Sequence, residues 1–191
     1  MRGEQSLVKT TQHGSEASAI DPAVLTAQLL TPPVPKGFKL HVLDRSWDFS
    51  VPRKVLWDWL NDPRTFTRGQ IPPFKVEFLD LPSGEPGGFV PGCLNVHHGP
   101  LMSFHGVIGE VRDREYRDLL YSYGSYAVSL RLARPVRLQF WFEERGEGKS
   151  RLRLRLDTHT RSWFTPIWGA VNRFFWWNFG LSARLVLRFR K

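Results

Sequence analysis

The sequence predicts an α+β fold: a curved antiparallel sheet of about seven strands wrapped around a long C-terminal helix, with two short helices after the first strand. Three observations carry this. Between Pro73 and Thr160 apolar and polar residues alternate in short runs, the two-residue period of half-buried strands. From Thr165 onward the period changes to three and four for about six turns, the mark of one long amphipathic helix. A shorter helical pattern, opened by Pro52 and closed by Pro63, interrupts the strands early in the chain.

A chain of 191 residues with 41% hydrophobic and 14% aromatic content fits one core, because two domains would each be left with too little interior. Residues 1–36 read as a polar tail with one short helix, Asp21 to Leu30, stopped by Thr31-Pro-Pro-Val-Pro35; residues 37–191 read as the folded domain. The single Cys93 excludes an intramolecular disulfide, and the first residues hold no apolar run of the secretory kind, so a reducing cytoplasm is the expected compartment. The most apolar window, Trp163 to Leu181, contains Pro166, Asn172, Arg173 and Asn178 and is too broken to span a bilayer, which leaves a soluble or peripheral protein. The formal charge is +9, and residues 161–191 supply six of those nine charges with no acidic residue among them.

The first strand runs from Phe38 to Phe49. Val55, Leu56, Trp59 and Leu60 then fall at helical spacing until Asn61-Asp62-Pro63, and a second short helix is expected at Arg64 to Gly69. Phe74 to Phe78, Leu94 to Val96, Ser103 to Val111 and Glu115 to Tyr123 give the next strands, while Gly124 to Pro135 fixes no register. Val136, Leu138, Phe140 and Phe142 alternate with polar residues, and Leu152, Leu154 and Leu156 alternate with Arg151, Arg153 and Arg155; Glu144 to Gly148 makes the hairpin turn between them. Thr165-Pro166 reads as an N-cap with proline at the first helical position, followed by Ile167, Trp168, Val171, Phe174, Phe175, Asn178, Leu181, Leu185 and Phe189 on the expected inner stripe.

This element order, together with Trp47-Asp-Phe49-Ser-Val51-Pro52-Arg-Lys-Val55-Leu56-Trp57-Asp-Trp59-Leu60-Asn-Asp62-Pro63, Gly109-Glu-Val111-Arg-Asp113 and Phe142-Glu-Glu-Arg-Gly-Glu-Gly-Lys-Ser-Arg-Leu152, resembles the helix-grip superfamily of START domains, polyketide cyclases and birch-pollen allergens (SRPBCC). The resemblance spans residues 38 to 191 and rests on collinear order, since each motif is loose. It implies a cavity between sheet and C-terminal helix, and with it binding or transport of a hydrophobic small molecule or lipid. It also implies an alternative, an enzyme of the polyketide cyclase/aromatase type with dehydrase-like chemistry, because the superfamily hosts carriers and enzymes alike. In such cyclases an arginine, tyrosine or histidine serves as acid or base; Arg112 and Tyr121 can be placed that way here, but nothing in the spacing singles them out.

Within that cavity, alternation nominates Trp47, Phe49, Val96, Val107, Phe140, Phe142 and Leu154 from the strands, with Val171, Phe174, Phe175 and Asn178 from the helix. Ser103, His105 and Tyr121 are its polar points. Alternation alone leaves open whether this face encloses a void or packs solid. His97, His98, His105 and Cys93 lie close in sequence but match no ligand spacing, so no metal or cofactor is expected. No nucleophile elbow, phosphate loop or carboxylate pair is present. The alternating arginines at 151 to 155 are what any wet strand face shows, and without a recognition motif they argue against nucleic acid. Arg173, Trp176, Trp177 and Arg184 fall off the inner stripe and mix indoles with arginines, which suits an anionic membrane surface. The tail or a second subunit in a homodimer would cover the same residues, and the sequence leaves the three open.

Overall fold

The computed structural model describes residues 32–67, 75–99, 103–122 and 131–189. The elements are β1 (Phe38–Phe49), α1 (Arg53–Asn61), α2 (Pro63–Thr67), β2 (Lys75–Phe78), β3 (Leu94–His98), β4 (Ser103–Arg112), β5 (Tyr116–Ser122), β6 (Ala133–Glu144), β7 (Ser150–Arg161) and α3 (Thr165–Leu187). The strands form one antiparallel seven-stranded sheet in the order β1, β7, β6, β5, β4, β3, β2. The expected α+β architecture is therefore present: a curved sheet with two short helices after its first strand and a long C-terminal helix. The tail helix at Asp21 to Leu30, Phe74, Tyr123 and the residues beyond Thr67 of the expected second helix lie outside the described residues.

Local chemistry accounts for the strongest elements. In β7 the leucines at 152, 154 and 156 are buried, as their strict alternation requires. The β6–β7 hairpin closes through Arg145 N–H to the Lys149 carbonyl at 3.0 Å, with Gly146 and Gly148 at φ of 105° and 65°, where a side chain would be strained. Helix α1 sits on the sheet through Leu56, Trp57, Trp59 and Leu60, and the Trp57 ring meets Phe142 edge-on at 4.8 Å.

Helix α3 corrects the expected helix face. Its buried residues are Trp168, Gly169, Asn172, Trp176, Gly180, Ala183 and Leu187, whereas Val171, Phe174 and Phe175 are exposed and Asn178 is only half-buried. The reason is distance. A Cβ added at Gly180 would lie 2.1 Å from Trp47 Nε1, so the helix approaches β1 more closely than a side chain allows. Close approach needs small residues, and the stripe holding Gly169, Gly180 and Ala183 faces inward although a richer apolar stripe lies beside it. Trp176 is accordingly not on the outer face: it is buried against Trp47 at 6.5 Å and Phe140 at 6.3 Å between ring centres. Thr165 is not the N-cap either. Phe164 holds that position, and the Thr165 hydroxyl instead donates to the Arg161 carbonyl at 3.1 Å.

The outer face of the sheet carries a buried ion-pair network. Asp118 accepts from Arg137 Nε at 2.8 Å and Nη2 at 2.5 Å, from the Tyr116 hydroxyl at 3.0 Å and from the Glu110 amide at 2.7 Å. That amide is presented by a bulge in β4 between Ile108 and Val111, where Gly109 leaves room for the carboxylate.

Candidate ligand-binding site

Register decides which side chains share the concave face. The pairs Asn95 with Gly106, Gly106 with Tyr121, Ile108 with Leu119, Arg117 with Phe140 and Phe140 with Leu154 place these residues in line across five strands. The same face continues through Leu43, Trp47 and Phe49 of β1, which oppose Leu156, Leu152 and Ser150. Of the residues nominated from the sequence, Trp47, Phe49, Tyr121, Phe140, Phe142 and Leu154 lie together on this concave side and are buried.

Four nominated strand residues, Val96, Ser103, His105 and Val107, lie on the opposite face. Val96 pairs with His105 and Leu94 with Val107, so all four point away from the helices, and His105 is exposed. Ser103, opposite His98 at the start of β4, is buried but occupies the same alternate position as His105. The apolar-inward rule misplaces this segment because the inward positions of β3 are polar: Asn95, 1% exposed, and His97. Arg112 stacks over the Tyr116 ring at 4.7 Å on the convex side, so it does not share a face with Tyr121. Strand alternation likewise separates His97 from His98, whose Nε2 lies 3.1 Å from Glu77 Oε2. Among the described residues no three His, Cys, Asp or Glu side chains group as metal ligands would.

Arg117 is the residue that sequence reasoning missed. It is 1% exposed, its Nη2 donates to the Leu60 carbonyl at 3.0 Å, and its guanidinium lies over Phe89 at 3.7 Å, Phe140 at 4.8 Å and Phe66 at 5.7 Å. Burial pushes it down to about 9, so it remains a cation at neutral pH. The signal was present in the run Tyr116-Arg-Asp-Leu-Leu-Tyr121. Two adjacent opposite charges among apolar residues of a strand force one charge to each face.

Around Arg117 the concave face holds further polar groups. His97 and Tyr121 meet ring to ring at 5.6 Å, and Phe104 closes on Tyr121 at 5.7 Å. Burial raises the Tyr121 phenol well above its usual range and, with the nearby Arg117 and His98 charges, lowers His97 to about 4. Both side chains are thus neutral at pH 7. Their hydrogen-bonding capacity is not used up: among the described residues Asn95 Nδ2 and Oδ1, His97 Nε2, and Arg117 Nε and Nη1 are buried without partners.

The His97 shift predicts a pH effect of defined sign. Between pH 6.5 and 4 the unfolded chain binds a proton at His97 that the folded chain refuses. Stability therefore falls across that window, by up to about 3 kcal/mol, and does not change further below it through this group. His41 and His159 are also lowered by burial and act with the same sign, so the comparison is with His97→Gln. Urea denaturation from pH 7 to 4 should give a visibly flatter profile for that variant; parallel profiles would contradict the placement of His97.

The architecture has solved counterparts. Norcoclaurine synthase from Thalictrum flavum, in complex with dopamine and hydroxybenzaldehyde, is similar at a TM-score of 0.55 and 11% identity over 98% of this chain and 99% of that one. A START superfamily protein from Mycobacterium smegmatis matches at 0.53 and 11% identity, covering 78% and 96%. An uncharacterized protein from Rhizobium leguminosarum matches at 0.56 and 11% identity, covering 81% and 97%. Neither a family profile nor a curated protein sequence matches the chain. These likenesses show the fold: the chain has the helix-grip architecture that its element order resembles.

Proposed function

We propose that residues 37–191 bind or carry a hydrophobic small molecule or lipid between the concave face of the sheet and the helices. The observation that carries this reading is the set of buried polar atoms on Asn95, His97 and Arg117 that have no partner among the described residues, inside a shell of aromatic rings. Buried polar groups without partners cost about 1–3 kcal/mol each, and a molecule that answers them recovers that cost. An apolar lining with a few convergent polar groups is the usual make-up of a small-molecule site. Norcoclaurine synthase, with the same architecture, forms a complex with two aromatic molecules, which supports the reading. The test is native mass spectrometry of the freshly purified chain, followed by solvent extraction. A discrete adduct that extraction releases is expected; a chain at its bare mass, with nothing in the extract, would contradict the proposal.

A second element of the proposal is docking on an anionic membrane surface through α3. The outward face of this helix exposes Phe174 by 68%, Trp177 by 61% and Leu185 by 56%, and Trp163 just before it by 66%. A contiguous apolar face of this kind marks an interaction site. Arg173, Arg184 and Arg188 flank it with no acidic residue from 161 to 191, and a groove of about 470 Å³ between β1 and α3 adds Arg45 beside Trp47 and Trp177. Indoles and rings at headgroup depth with arginines toward phosphate fit such a surface. No helix among the described residues is long and apolar enough to cross a membrane, so contact would be peripheral. Flotation with vesicles containing phosphatidylserine should carry the wild type, and Phe174→Ser with Trp177→Ser should lower the floated fraction about tenfold or more. Equal flotation of both proteins, or a dimer that the same substitutions dissolve, would replace the membrane by another occupant. The cyclase-type alternative gains no support from Arg112, which faces away from the concave side.

A further inference from the structure

We infer that the concave site selects an apolar ligand carrying an anionic oxygen head group, a carboxylate, which Arg117 receives. This rests on the proposed ligand binding and adds the chemical class of what is bound. An arginine that is 1% exposed has left water, and fully buried charges in proteins are paired because the loss of hydration amounts to several kcal/mol per ion. Arg117 has no such pair among the described residues. Its chain neighbour Asp118 points to the other face of the sheet, where Arg137 and Tyr116 occupy it. Among the described residues its electrostatic neighbours are Tyr121, a phenol that stays neutral, and the neutral His97, neither of which supplies a negative charge.

What Arg117 does have is one carbonyl, from Leu60, and the faces of Phe89, Phe140 and Phe66. Rings stabilise a cation but accept no strong hydrogen bonds, so Nε and Nη1 remain open. A neutral ligand group would fill one of those donors and leave the charge uncompensated. A carboxylate answers both needs, since arginine's planar donors match its oxygens in geometry and charge. The aromatic shell excludes water from the pair, and the neutral His97 and the amide of Asn95 offer further polar contacts along the same face. The predicted ligand has an acid at one end, a hydrophobic body and room for a second polar atom.

The test uses the full-length chain and two matched probe pairs: palmitoleic acid with its methyl ester, and 2-naphthoic acid with 2-naphthamide, titrated at pH 7. Within whichever pair binds, the acid should bind about tenfold or more tightly than its neutral partner. Arg117→Met should erase that preference, bringing the affinity for the acid to within about twofold of that for its neutral partner in the same variant. Acid and neutral probes of equal affinity would overturn the anionic selection and leave hydrophobic binding standing. Failure of all four to bind would overturn both. An acid preference that survives Arg117→Met would assign the head group to another cation and sink the inference. If the variant fails to fold, the Arg117 side-chain nitrogen resonances of the wild type give the same answer: shifted by the acid and not by the ester or amide if Arg117 holds the carboxylate, unmoved by both if it does not.

Discussion

Asp118→Ala is expected to destabilise the chain by about 3–5 kcal/mol in urea denaturation, the loss that follows when one partner of a buried ion pair is removed. The carboxylate is fully buried and answers four donors: two nitrogens of Arg137, the Tyr116 hydroxyl and the Glu110 amide. Without it the Tyr116 hydroxyl and the bulge amide lose their acceptor, and Arg137, whose side chain is 23% exposed, keeps part of its charge away from water. Arg137→Ala alone should cost less, because that guanidinium reaches solvent on release. The double variant should fall well short of the sum of the singles, as residues in one network do. A loss under about 1 kcal/mol for Asp118→Ala would mean the network contributes little.

Gly180→Val is expected to cost about 3 kcal/mol or more, above the usual range for overpacking, since the obstacle is a rigid ring rather than a flexible side chain. The added Cβ would meet Trp47 at 2.1, 2.4 and 2.9 Å, and Trp47 is itself held by Trp176 and Phe179. Either the indole or the whole helix must move. Gly180→Ala makes the same collision with a helix-propensity gain of about 1 kcal/mol, so its net cost should be smaller. Replacing Gly84, which has open space around it, provides the contrast, although its φ of 84° adds strain of its own. The measurement is the thermal midpoint with near-ultraviolet circular dichroism, which follows the Trp47 and Trp176 environment. An unchanged midpoint and spectrum for Gly180→Val would contradict the close approach of α3 to β1.

The order of elements was legible because each depends on a local pattern. Leu152, Leu154 and Leu156 alternate, Pro52 opens a helix, and residues 165–187 repeat at helical spacing, so sheet and helices follow without tertiary information. Two features were not legible, both for physical reasons. The inward face of α3 is set by how near two elements can come, and Gly169, Gly180 and Ala183 win over Phe174 and Trp177 through size rather than hydrophobicity. The register of β3 depends on which side is buried, and there Asn95 and His97 lie inward while Leu94 is 54% exposed. A pattern rule reads polar residues as wet. It fails where polar residues are kept inside, and for this chain that is the candidate site itself.

The two faces of the protein divide its proposed work. The concave side combines aromatic rings with polar atoms that nothing among the described residues satisfies, and the outer side of α3 combines aromatic rings with arginines. On the proposed reading, hydrophobic residues on the first would hold a ligand and those on the second would meet the surface from which it is loaded or to which it is delivered. Both faces lie on the same helix–sheet unit, and Trp47 belongs to both, lining the outer groove while packing on Trp176.

The most direct test of the account is a co-crystal structure with 2-naphthoic acid. The account predicts density between β5 and the short helices, its ring against Phe89 or Phe140 and its carboxylate within hydrogen-bond distance of Arg117. A ligand seated only on the outer surface of α3, with the Arg117 environment unchanged, would contradict it.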